Sequence, residues 1–251
     1  MTLLPPGMEA WLFAALAAAS FATSAMTAAF GLGGGAALLA LLASLMPPAA
    51  LIPVHGVVLL ASNAGRAAVM RRAARLDLLG PFAFGALAGA GLGASLAVSL
   101  PPWAVQLGVG AFILWTVWGR APAPPAGRAR TAAGAAAGAV TTFLTMFFGA
   151  TGPFVAAWLK TLGLGRETHV ATNACAMTLQ HGLKSVAFGL FGFAFAPWLG
   201  LIATMAAAGF LGTLVGRRAL RRMTDARFAQ GLDLILTALA LRLIAQTVGL
   251  L

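Results

Sequence analysis

The sequence has 251 residues, of which 61% are hydrophobic and only 8% charged. Soluble domains carry roughly 25% charged residues, so this chain lacks the polar surface to stay in water and reads as an all-α polytopic membrane protein. A transmembrane β-barrel does not fit, because the apolar segments are continuous runs and not alternating strands of about ten residues. The net charge of +11 would suit nucleic acid, but the arginines cluster in a few short loops, as positive-inside topology requires. The expected surroundings are therefore a lipid bilayer, with no nucleic-acid partner. Cys175, the single cysteine, has no disulfide partner within the chain and lies in an apolar segment, where core packing is its expected role. Residues 1–7 bring no basic stretch ahead of the first apolar run, so no secretory signal is expected.

The first apolar run, 8–29, has the roughly 20 residues that a span requires, with Glu9 and Trp11 at its interfacial end. Phe30-Gly31-Leu32-Gly33-Gly34-Gly35 breaks it, and a short second helix follows to Leu45, closed by Pro47 and Pro48. A third segment covers 51–70 and ends in Arg71, Arg72 and Arg75. A fourth covers 78–98, with Gly85, Gly89, Gly93 and Ala97 at four-residue spacing, a stripe for close helix packing. Pro101 and Pro102 precede a fifth segment at 103–118. Residues 119–130, GRAPAPPAGRAR, form a basic, proline-rich connector. The pattern then recurs: a long segment at 131–147, a break at 148–153, a short helix to Leu162, and longer segments at 168–191, 196–215 and 228–248.

Five segments against five, with the short one second in each half, is an internal repeat. The expected division is 1–119, a linker at 120–130, and 131–251. The basic clusters follow segment three, fill the linker, surround Lys160 and Arg166, and run from Arg217 to Arg227, whereas the loops near Pro47, Pro101 and Phe193 carry no arginine or lysine. If the short helices count as crossings, every basic loop falls on one side. That side is cytoplasmic by the positive-inside rule, and both termini lie outside. Each half then has an odd number of crossings, which gives two inverted-topology repeats, each of four long helices and one glycine-broken short helix. A short helix of about fourteen residues at 1.5 Å per residue covers only part of the hydrocarbon core, which leaves its full crossing open.

Placing the halves at an offset of 118 residues pairs Gly31 with Gly149, Gly34 with Gly152, His55 with Asn173, Ser62 with Gln180 and Arg66 with Lys184. Steps of 7 and 11 residues return to nearly the same direction on a helix. His55, Ser62 and Arg66 thus form one polar stripe, and Asn173, Gln180 and Lys184 form its counterpart, flanked by Asn63, Thr172 and His181. Taken singly, Arg66 and Lys184 are near enough to helix ends to snorkel, the histidines suit satisfied core positions, and Ser62, Asn63 and Gln180 suit interhelical contacts. The paired arrangement favours a function.

The chemistry it suggests is anion binding. Free backbone N–H groups and the positive end of the helix dipole point into each break, at Gly34–Gly35 and at Thr151–Gly152. Glycine lets a ligand approach the backbone, Thr151 adds a hydroxyl, and Arg66 and Lys184 supply charge. No carboxylate neighbours the breaks to hold a cation, and no metal or cofactor is expected. Asp233, well inside an apolar segment, is a candidate coupling group, a helix-pairing contact or a solvated residue near the cytoplasmic end.

The GLGGG break with its short helix (31–45), SNAGRAAVMRRAARLDL (62–78) and ATNACAMTLQHGLKSVAFG (171–189) resemble the sulfite exporter TauE/SafE family, also called toluene sulfonate uptake permeases. The resemblance covers nearly the whole chain. It implies a permease of the bacterial cytoplasmic (inner) membrane that exports a small sulfur-containing anion, such as sulfite, thiosulfate or a short organosulfonate. Carried over, Gly33, Gly34, Gly35, Thr151 and Gly152 line the substrate site, with Asn63, Arg66, Thr172, Asn173 and Lys184 nearby, and His55, Gln180 and His181 complete the candidate set. The chain departs from the pattern at Pro53-Val54-His55-Gly56, where a threonine or serine matching Thr172 is expected, so the exact anion and its coupling ion stay open. Three rival readings are a permease for a metal cation or an amino acid, a non-transporting scaffold subunit and a lipid-acting enzyme. No nucleophile motif, metal-ligand cluster or paired carboxylates support the last. The small-residue faces also suit a homodimer, although they pack helices within one protomer equally well.

Overall fold

The computed structural model is all-helical and describes residues 4–5, 7–95, 107, 110–111, 113–115, 117–119, 126–148 and 151–247. Its helices are α1 (Ala10–Phe30), α2 (Gly34–Leu45), α3 (Pro48–Met70), α4 (Leu76–Ser95), α5 (Gly127–Phe148), α6 (Gly152–Lys160), α7 (Arg166–Leu190), α8 (Leu199–Arg222) and α9 (Asp225–Thr247), with 3-10 turns at Arg71–Ala73 and Ala196–Trp198. The described residues of 107–118 are helical as well. The expected end of segment four, the start of segment five, linker residues 120–125 and break residues 149–150 lie outside the described residues.

Among the boundaries that differ from the sequence reading, three have an identifiable reason. Helix α3 begins at Pro48 and not near residue 51, because a proline in the first turn gives up an N–H that would have no helical partner there. Helix α5 begins at Gly127, so the last residues of the expected linker are helical. Helix α8 runs to Arg222, seven residues beyond the expected end, since arginine continues a helix readily once the apolar run is over.

Helix α1 packs along α8, α4 along α5, and α3 along α7, with α3 also touching α8 and α4 touching α7. Glycines set the distances. A Cβ on Gly85 would lie 1.9 Å from the carbonyl oxygen of Ala135, one on Gly89 2.2 Å from that of Ala139, and one on Gly138 2.0 Å from that of Phe82. The α1–α8 contact uses the same device: Gly212 and Gly216 face the carbonyls of Phe21 and Ala25 at 2.1 and 2.2 Å. The glycine stripe expected on segment four is thus a packing face, as small residues in membrane helices allow.

Large apolar side chains cover the outside: Leu190 is 82% exposed and Phe84 74%. On a water-soluble protein such a surface would drive association; against lipid it is the favoured one. Among the described residues, four helical stretches, Ala10–Phe30, Ala49–Ala73, Leu76–Gly93 and Ala196–Arg222, have the length and hydropathy of spans. Helix α7 is as long, at 25 residues, but carries the polar stripe. The short helices have 12 and 9 residues, about 18 and 14 Å at helical rise against roughly 30 Å of hydrocarbon, so neither crosses alone.

The basic turns gather at one end. The Arg75 N–H donates to Thr172 Oγ1 at 3.0 Å, Arg166 pairs with Asp225 at 2.8 Å, and Lys160 pairs with Asp233 at 2.6 Å.

Gly85→Val is expected to lower the melting temperature in detergent, by an overpacking cost of about 1–3 kcal/mol. Gly91→Val, on the same helix but with no atom within 4 Å of the added Cβ, should melt like the parent protein. Equal melting of the two variants would refute close α4–α5 contact.

Candidate functional site

Where α1 stops and α2 starts, the backbone turns through two left-handed glycines, Gly31 at φ 83° and Gly33 at φ 96°, a conformation that side chains rarely allow. Gly34 is required for a different reason: a Cβ there would sit 1.9 Å from the Thr23 carbonyl oxygen and 2.2 Å from Thr27 Oγ1. The turn therefore folds back against α1. The first helical bond of α2 runs from the Ala37 N–H to the Gly33 carbonyl at 3.0 Å, which leaves the N–H groups of the preceding residues without helical acceptors. Those residues, Gly34, Gly35 and Ala36, line a cavity of about 40 Å³.

Helices α3 and α7 wall this cavity, and the start of α6 closes it. From α3 come Ser62, Asn63 and Arg66; from α7, Asn173, Met177 and His181; from α6, Gly152 and Pro153. Arg66 is 2% exposed, so it does not snorkel. Its guanidinium donates to Asn63 Oδ1 at 2.9 Å and to Ser62 Oγ at 3.4 Å. Asn63 in turn donates to the Leu59 carbonyl at 2.8 Å, and the Ser62 hydroxyl is shared with that of Ser24 at 2.9 Å. The Nε of Arg66 has no hydrogen-bond partner among the described residues.

Asn173 reaches across from the second half and donates to the Gly31 carbonyl at 2.6 Å, fixing the glycine turn. Gln180 donates to the hydroxyls of Thr141 and Thr142, the latter at 3.0 Å, and the Thr151 hydroxyl pairs with that of Thr145. Thr23, Ser24 and Thr27 of α1 line the cavity, although the sequence reading left them out. Their signal was there: each has a threonine 118 residues further on, at Thr141, Thr142 and Thr145. The contact Ser24–Ser62 and the contact Thr142–Gln180 are related by this same spacing.

The expected site residues do not all meet. Gly33, Gly34, Gly35, Asn63, Arg66, Gly152, Asn173 and His181 line the cavity, whereas His55, Thr151, Thr172, Gln180 and Lys184 are not in its lining. His55 Nε2 contacts the Gly35 carbonyl at 2.9 Å, behind the glycine turn. Thr172 is engaged at the basic end by the Arg75 N–H. Lys184 is fully buried against α3. Asp233 is not in the cavity lining; it is the partner of Lys160, with both side chains partly exposed. Cys175 is half-buried, more open than core packing requires.

The chain's five carboxylates are Glu9, Asp77, Glu167, Asp225 and Asp233, and none lines the cavity. Among the described residues no group of three or more histidine, cysteine, aspartate or glutamate side chains is placed to hold a metal. The arrangement offers a guanidinium, amide donors and backbone N–H groups from a helix start. No curated protein and no solved structure matches the chain. A family model does match, that of the sulfite exporter TauE/SafE family, over residues 16–243, and the chain accordingly belongs to this family of membrane transporters, which are not enzymes.

Proposed function

We propose that the protein moves a small sulfur oxyanion, such as sulfite, thiosulfate or a short organosulfonate, outward across the cytoplasmic membrane, holding it at Arg66 between the two glycine-broken short helices. The observation that carries this reading is the buried guanidinium with no carboxylate in its cavity. Taking a charge out of water costs several kcal/mol unless it is paired, and arginine does not shed its proton to escape that cost. Asn63 and Ser62 give it hydrogen bonds but no opposite charge. An oxyanion provides the charge and accepts from Arg66, from Asn173 and from the N–H groups of α2, the arrangement by which helix starts hold anions. A metal cation would meet the charge of Arg66 there and no carboxylate to offset it, which disfavours the cation-permease reading.

The two halves, 1–119 and 131–251, are read as inverted repeats about this site, with 120–130 between them. In support, the α1–α8 and α4–α5 contacts exchange with each other under the offset of 118, and the α3–α7 contact maps onto itself. The basic end is assigned to the cytoplasm, which puts both termini outside. Alternating access follows if one group of helices rocks against the other around the cavity.

Thiosulfate or sulfite, titrated at fixed ionic strength, is expected to raise the melting temperature of the detergent-purified protein. The stabilisation should approach about 2.7 kcal/mol at a hundredfold excess over Kd. Arg66→Gln should lose this response; a full response in that variant would remove Arg66 from the site. Asp233→Asn should keep it, with a stability change below about 1 kcal/mol, as for other partly exposed ion pairs. Loss of the anion response in Asp233→Asn would return the coupling role to that carboxylate.

A further inference from the structure

Three titratable side chains on the α3–α7 interface have no task in the reading above. Lys184, His55 and His181 are each 0% exposed, and the two imidazoles stand edge to face with centroids 6.3 Å apart. Lys184 Nζ, both ring nitrogens of His181 and Nδ1 of His55 have no hydrogen-bond partner among the described residues. His181 also lines the anion cavity. Lys184 follows it by three residues, on the same face of α7. Its end lies over Gly56, where an added Cβ would be 2.8 Å from Cε and 3.5 Å from Nζ. Gly56 thus gives the lysine its place in the core.

The surroundings bring nothing that neutralises an ammonium there. Helix α3 presents His55, with Arg66 on the cavity side, and α1 and α2 contain no titratable residue. Helix α4 has Asp77 alone and α5 has Arg128 and Arg130 alone, all in their first turns at the basic end. Arg71 and Arg72 after α3, Lys160 of α6, and Arg217, Arg218, Arg221 and Arg222 of α8 lie toward that end as well. So do Asp225, Arg227 and Asp233 of α9, whose Arg242 is exposed. On α7 itself Arg166, Glu167, His169 and Cys175 are two or more turns away from Lys184. A buried ammonium without an acceptor is costly. An amine, unlike a guanidinium, avoids the cost by giving up its proton.

We propose that Lys184, together with His55 and His181, is a proton site linked to the anion cavity: uncharged while the cavity is empty, and protonated when an anion enters beside His181. The inference rests on the anion reading of the cavity. The step is a protonation alone. Lys184 Nζ gains a proton from water as the anion binds and returns it on release, and no electron moves. The linkage is reciprocal, so the anion favours the proton as much as the proton favours the anion.

The test is calorimetric titration of thiosulfate, and separately of methanesulfonate, into the detergent-purified full chain. Two buffers of unequal ionisation enthalpy are used at one pH and ionic strength. Neither anion carries a titrating proton near neutral pH, so protons that enter are taken up by the protein. The parent protein should take up roughly 0.5–1 proton per anion, and its affinity should fall as pH rises. Lys184→Met should bind the anion without proton uptake, at the affinity the parent reaches in alkali. Lys184→Arg, permanently charged, should also bind without uptake, at the affinity the parent reaches in acid, and it serves alone if the methionine variant does not fold. Heat that is independent of buffer in the parent, or parental uptake in either variant, overturns the proton site and leaves the anion reading in place. Absence of binding by both anions overturns the anion reading and the proton site with it.

Discussion

A guanidinium that is 2% exposed, in a cavity lined by no carboxylate, is the constraint on which the rest of this structure turns. Three carboxylates elsewhere pair with a cation in the ordinary way: Asp77 with Arg75, Asp225 with Arg166 and Asp233 with Lys160. Those pairs are exposed or partly exposed, so solvent screens them. At the centre the arrangement is reversed. Hydrogen bonds orient Arg66 while its charge is left unmatched, and the surrounding helices must supply enough packing to hold it there. On the proposed reading, the missing partner of this charge is the transported anion.

That packing comes from backbones in direct contact. Where Gly85, Gly89 and Gly138 bring α4 onto α5, and Gly212 and Gly216 bring α8 onto α1, carbonyl oxygens lie where a Cβ would otherwise be. In lipid there is little hydrophobic drive between helices, so close van der Waals contact between small residues does the work. The consequence reaches the cavity through α1. Its outer flank is fixed by α8, its inner flank carries Thr23, Ser24 and Thr27, and Gly34 lets α2 start against it. The serine pair Ser24–Ser62 then passes the position of α1 to the residue that orients Arg66.

Much of this was legible in the amino-acid sequence, because membrane spans and glycine breaks are written in composition. The start of α2 at Gly34, the start of α6 at Gly152 and the packing stripe through Gly85 and Gly89 could be read directly. Helical periodicity grouped His55, Ser62 and Arg66 on one stripe but could not tell which member would face the cavity. The structure divides that stripe: Arg66 and Ser62 face the cavity and His55 sits behind the glycine turn. Thr172, one position from Asn173, is taken up by a loop N–H at the basic end, a contact that depends on where the α3–α4 turn folds back. For Asp233 the sequence leaves a coupling group, a helix-pairing contact and a solvated residue open, because Lys160 is distant in sequence; the two meet only through tertiary packing. The hydroxyls of α1 were passed over because small polar residues are common in membrane helices, although their spacing of 118 from the threonines of α5 marked them.

Arg66 and Lys184 occupy matching positions in the two halves, yet they are not chemically equivalent. Each is buried, each lies on a polar stripe, and neither has a carboxylate against it. Arginine keeps its charge in any surroundings, whereas lysine can exist as a neutral amine. Two permanent charges at these positions would repel one another across a low-dielectric core whenever the cavity was empty. With the proposed proton linkage, one permanent and one dischargeable cation let the core around the empty cavity hold a single positive charge and the core around the loaded one two, against the charge of the anion. On this reading the exchange of arginine for lysine at the offset of 118 residues is what allows one cavity to be stable both with and without its cargo. It also explains why the lysine lies outside the lining while His181, between the two cations, belongs to both surroundings.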